Sequence, residues 1–149
     1  MYPFHLSIPV SDIGIAKDFY SNVFGCKIGR SGVRWADFNF FGHQLTIHLA
    51  EFPQDDFRSN NVDGHNIPVR HFGLVLDWGR WHEIKEKLLI RDVTFVVKPH
   101  IRFKDKPGEQ ASMFFLDPAN NVMELKAFKD NNNLFAKNES NKPLELSKG

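Results

Sequence analysis

The chain has one cysteine, Cys26, in 149 residues, so it can close no internal disulfide and build no cysteine-rich zinc site. No apolar run approaches the roughly 20 residues of a membrane-crossing helix, and no membrane partner is expected. Lysine and arginine total 19 against 18 aspartates and glutamates. A balance so even, without a basic stripe, argues against nucleic acid as a partner. The opening Met1-Tyr2-Pro3-Phe4-His5 lacks the charged and then apolar regions of a secretory signal. With the unpaired thiol, these absences make a cytoplasmic location the expectation. The length suffices for one domain that buries its core without staples.

Phenylalanine and histidine are plentiful, with 15 and 7 copies. The phenylalanines can be absorbed by a core. The histidines have to be followed one at a time through the pattern of elements.

His5–Val10 reads as a short strand. Ser11-Asp12 then offers a helix cap, Ile13, Ala16, Phe19, Tyr20 and Val23 recur at helical spacing, and Gly25 is placed to stop the helix. Residues 27–41 suggest two strands broken near Gly29 and Gly32, and residues 44–50 a further strand. Residues 51–68 are polar and rich in Asn, Asp and Pro, a connector long enough to serve as a lid. The pattern then restarts. A strand from His71 ends in Asp77, a second cap; Trp81, Ile84, Leu88 and Leu89 mark a helix; residues 93–97 and 101–103 read as two short strands. Two apolar arms hinged on Asp117-Pro118-Ala119-Asn120-Asn121 complete the unit. The expectation is an α+β domain over residues 1–128, made of two tandem strand-helix-strand-strand-strand modules at about 4–50 and 69–128. Residues 129–149 form a polar tail of low expected order.

Side chains alternate faces along a strand. His5, His48 and His71 fall on the parity opposite to their apolar neighbours, and so does Glu124, which stands between Met123 and Leu125. A carboxylate in such an apolar strand needs a partner. Each histidine alone reads equally well as a surface residue, but the shared parity joins them. If these faces line one cavity, two or three imidazoles and one carboxylate make a ligand set for a divalent transition metal. Arg102 and Lys126 are candidates for anchoring an anionic group, and His65 for approaching a substrate from the connector. His43, His82 and His100 read as turn, helix and loop residues.

These residues resemble a known family. His5, Val10, Asp12 and Asp18-Phe19-Tyr20, a second module opening at His71, and the ending Phe115-Leu116-Asp117-Pro118 through Asn121 to Glu124-Leu125-Lys126 are similar to the vicinal oxygen chelate superfamily. That superfamily holds glyoxalase I, extradiol dioxygenases, fosfomycin-resistance enzymes and bleomycin-binding proteins. The resemblance implies a cup-shaped mixed sheet, helices outside, around one divalent metal, Fe(II) foremost, with Zn, Ni or Mn as other choices. It implies His5, His48, His71 and Glu124 as ligands, His48 and Glu124 taking part in catalysis, and a homodimer acting on a small molecule. A dioxygenase-type oxidation is the first reaction implied; a glyoxalase-type lyase or isomerase, or a non-catalytic binding role, are the alternatives. Glyoxalase I has a glutamate where His48 stands, a departure from that member's pattern.

Overall fold

A computed structural model of the chain describes residues 1–51, 59–62 and 64–137. The first module runs β1 (His5–Val10), α1 (Ile13–Phe24), β2 (Lys27–Ser31), β3 (Trp35–Phe40) and β4 (His43–Leu49). A hairpin, β5 (Ser59–Val62) and β6 (His65–Pro68), follows. The second module is β7 (Phe72–Leu76), α2 (Trp78–Ile90), β8 (Phe95–Arg102), β9 (Gln110–Leu116) and β10 (Val122–Phe128). The sheets have the same order, β1-β4-β3-β2 and β7-β10-β9-β8, each with its first and last strand parallel. The tandem α+β repeat is therefore present. No helix among the described residues is long and apolar enough to cross a membrane.

The local causes are those of the sequence. Asp12 accepts the Ile15 N–H at 2.8 Å to open α1, and Gly25, at φ 71°, closes it in the left-handed region. Asp77 opens α2 in the same way, on the Arg80 N–H. α1 then touches the apolar faces of both sheets. Tyr20 lies against Phe38 and Phe40, while Phe24 meets Phe40 on one side and Phe115 on the other. From α2, Trp81 donates its indole N–H to the Leu125 carbonyl. One continuous core results, and the polar face of each sheet lies on the far side from it.

Three details differ from the pattern read in the chain. Residues 93–97 and 101–103 do not form two strands; β8 is one strand with register shifts on either side of Val97. Pro99 is tolerated because β8 is an edge strand, where a missing N–H breaks no ladder. Within the connector, residues 59–62 and 65–68 pair as a hairpin, and residues 52–58 lie outside the described residues. Of the tail, Asn131–Phe135 forms a 3-10 turn capped by Asp130; residues 138–149 lie outside the described residues.

The two modules meet at Asp117, which is 3% exposed. Its carboxylate accepts the Tyr20 hydroxyl at 2.7 Å, the Asn121 amide at 2.8 Å, and the backbone N–H groups of Ala119 and Asn121 at 2.8 Å each. Burial pushes this carboxyl above the usual carboxylate range, and those donors pull against it. Asn121 also donates to the Pro9 carbonyl at 2.8 Å. Tyr20→Phe removes one donor to a buried acid and is expected to lower unfolding free energy by about 1.5–3 kcal/mol. Urea unfolding followed by tryptophan fluorescence measures this; a midpoint equal to that of the unaltered protein refutes the clamp.

Candidate functional site

On the polar face of the second sheet, Glu124 sits between Val122 and Lys126, while Met123, Leu125 and Ala127 are fully buried on the other face. Its side chain is 15% exposed. Ser112 donates to Oε1 at 3.4 Å and Lys126 Nζ lies 3.2 Å from the same oxygen. Oε2 faces His71 Nε2 at 3.3 Å. Gly73, the register partner of Glu124, lets β7 come close here: a Cβ on it would stand 1.6 Å from the Glu124 carbonyl oxygen.

The tautomer of His71 follows from its other nitrogen. Nδ1 lies 2.7 Å from the Pro68 carbonyl, which only accepts, so Nδ1 carries the proton. In neutral His71 the Nε2 lone pair then points toward a carboxylate oxygen. Two lone pairs at that distance repel unless a proton or a metal cation lies between them. A backbone carbonyl holding Nδ1–H is the usual support for a metal-ligating histidine. This donor pair suits a divalent metal.

Glu124 and His71 line a cleft of about 230 Å³. His65, His100, Arg102 and Lys126 line it too. The Arg102 guanidinium lies 5.0 Å from the Phe103 ring centroid. His65, Arg102 and Lys126 were expected near a substrate; His100 was expected in a loop. Two short strands at 93–97 and 101–103 leave His100 between them, whereas one continuous β8 puts His100 and Arg102, two apart, on one face.

His5 and His48 lie on the polar face of the first sheet, paired with Gln44 and Pro9 respectively, and neither lines the cleft. Among the described residues, no three His, Cys, Asp or Glu side chains of one chain lie together as a metal site. On β3, beside the strand that carries His48, is an acid that the sequence reading passed over. Asp37, 7% exposed, accepts Thr46 Oγ1 at 2.7 Å, Arg30 at 3.2 Å and Gln44 at 3.3 Å. Its signal was the one that marked Glu124, an acid alternating with apolar residues, here Ala36 and Phe38. His43 was also undervalued: its Nδ1 accepts the Phe4 N–H at 2.9 Å and so pins the residue before His5. His82 packs on the rings of Trp78 and Trp81, in keeping with a helix surface. Burial pushes the Cys26 thiol up to about 12, so it is no nucleophile.

Residues 3–125 match the model of the Glyoxalase/Bleomycin resistance protein/Dioxygenase superfamily. No curated protein matches the chain. Among solved structures, a glyoxalase/bleomycin resistance protein/dioxygenase from Alicyclobacillus acidocaldarius is 28% identical, with a TM-score of 0.71, over 90% of this chain and 96% of that one. A point mutant of a fosfomycin resistance protein from Listeria monocytogenes, in complex with Mn(II) and 1S,2S-dihydroxypropylphosphonic acid, is 18% identical with a TM-score of 0.65, covering 85% of this chain and 91% of that one. A lactoylglutathione lyase from Agrobacterium tumefaciens is also 18% identical, with a TM-score of 0.57, covering 85% and 92%. The last two likenesses are of fold alone.

The Asp37 network has a pH signature. The Thr46 hydroxyl, then Arg30 and Gln44, hold its carboxyl below the usual carboxylate range against burial. A lowered folded-state pKa stabilises above the unfolded value of about 3.9 and is lost as pH falls through the folded value. Thr46→Val is therefore expected to move acid unfolding, followed by circular dichroism, to higher pH. An unshifted acid midpoint contradicts this assignment.

Proposed function

The chain belongs to the glyoxalase/bleomycin resistance protein/dioxygenase superfamily, and on that premise we propose that it is a metal-dependent enzyme binding a small substrate through two adjacent oxygens. The observation that carries this is the facing of His71 Nε2 and Glu124 Oε2 with Nδ1–H held by Pro68. These two residues would hold the metal, with His5 as the second imidazole and His48 as a fourth ligand or an acid/base group. Fe(II) is the first choice, with Zn, Ni or Mn as alternatives. A bound divalent ion supplies Lewis acidity toward vicinal oxygens or, as Fe(II), redox capacity.

The chain's own residues do the rest. Pro68 keeps His71 in the ligating tautomer. Gly73 lets β7 approach β10, so that His71 reaches Glu124. Arg102, Lys126 and His65 surround a substrate with donors and positive charge. Two His and one carboxylate leave positions open for a substrate and dioxygen, which favours a dioxygenase-type oxidation. The cationic lining and His48 favour a second reading, a glyoxalase-type lyase or isomerase, in which charge develops on oxygen and a histidine moves the proton. A purely sequestering role would leave the His71–Glu124 pair without use.

A complete ligand set needs a second copy of the chain. β1 and β7 are the outer strands of their sheets, each unpaired on one side among the described residues, and His5 and His71 stand at equivalent places at the start of each. Apposing β1 of one copy with β7 of another would join the two polar faces, twice over in a two-fold dimer.

Protein purified from medium holding Fe, Zn, Ni and Mn is expected to retain about one metal per chain. His71→Ala and Glu124→Gln should each lower affinity by about ten- to a hundredfold or more. Unchanged metal content in His71→Ala would sink the reading. Mixing His5→Ala with His71→Ala protein, after unfolding and refolding together, should restore about a quarter of the metal sites, because half the dimers are mixed and each has one intact site. No restoration means that the ligands come from one chain. Oxygen uptake with catechols by Fe(II)-loaded protein, against thioester formation from the methylglyoxal–glutathione hemithioacetal with Ni(II) or Zn(II), decides the reaction.

A further inference from the structure

We propose that the β5–β6 hairpin is a wall of the substrate site and that His65 on it, together with His100 on β8, grips an anionic end of the substrate. The class of ligand is a small molecule ending in a carboxylate, phosphate or phosphonate. This rests on the reading of the cleft as the substrate site and adds the substrate's charge and the pair of residues that selects it.

The hairpin is fastened where such a role needs it. Ile67, 7% exposed, packs with Val97 and Phe114 in a small apolar cluster separate from the main core. Phe114 is also the ring against which His71 stands, at 5.2 Å between centroids. Side chains two apart on a strand share a face, so seating Ile67 on the sheet also turns His65 toward it. There the His65 and His100 rings lie 6.2 Å apart, tilted by 37°. His100 Nδ1 lies 2.9 Å from the Lys98 carbonyl and so carries a proton; Nε2 donates to an anion when the ring holds its second proton.

Charge decides what that ligand is. Among the described residues that line the cleft are two permanent cations, Arg102 and Lys126, and a carboxylate, Glu124, which is engaged by His71, Ser112 and Lys126. A second metal ion at the imidazole pair would face like charge from Arg102 and Lys126. An anion would meet two imidazoles, each able to donate when protonated, beside a guanidinium and an ammonium, and charge-assisted bonds are the stronger ones.

The test uses the metal-free full chain with inorganic phosphate as probe, read by histidine-ring NMR and calorimetry. The His65 and His100 ring signals should move together along one saturable curve. His65→Gln and His100→Gln should each weaken phosphate binding by about tenfold, the worth of one charge-assisted bond. Asn66→Ala, an exposed change on the same hairpin, should bind as the unaltered protein does. Equal affinity in all variants, or shifts confined to His43 and His82, overturns the proposal. So does a tenfold loss of Zn(II) affinity in His65→Gln, which would make the pair a metal site. If Zn(II) fails to bind the unaltered protein while the phosphate results hold, the metal reading falls and the anion site stands.

Discussion

The buried carboxylate of Asp117 is the contact on which the rest of the arrangement depends. An acid this deep is tolerable only when its oxygens are filled with donors, and here the donors come from its own turn and, through Tyr20, from the other module. The turn between β9 and β10 is thereby held in place against α1. Asn121 adds a bond to the end of β1. With the turn held, the register of β10 against β9 and β7 is set, and Glu124 comes opposite Gly73 and Phe114. A carboxylate in the interior thus positions a carboxylate at the site.

Glu124 makes the opposite use of burial. Its neighbours on β10 are buried in the core, while its own side chain leans over the polar face, with His71 on one oxygen and Lys126 and Ser112 on the other. The His71 tautomer is settled outside the pair, by the Pro68 carbonyl at the end of the hairpin. The hairpin therefore touches the cleft twice, through the Pro68 carbonyl against His71 and through His65 in the lining. A connector that does both is part of the site.

The division of the chain into two alike modules bears on how a full site can arise. Duplication gives each sheet a polar face with a histidine at the start of its outer strand. Because α1 joins the apolar faces of both sheets in one core, the polar faces are left to the outside of that core. On the first sheet's face the Asp37 network holds Thr46, Gln44 and Arg30 together around a buried acid.

The sequence by itself determined the elements and the parity. Asp12, Gly25 and Asp77 announced both helices, alternation put His5, His48, His71 and Glu124 on one kind of face, and the repeat from His5 to His71 announced the two modules. These are short-range features, carried by neighbours along the chain. Tertiary structure decided what had no local signal. It joined His71 to Glu124, set Nδ1 against Pro68, carried β8 past Pro99 with a shift of register so that His100 reached the cleft, and folded a polar connector into a wall. Each of those depends on contacts between distant residues, and on an edge position that makes a missing N–H harmless. Parity tells which way a side chain points; only packing decides what it meets.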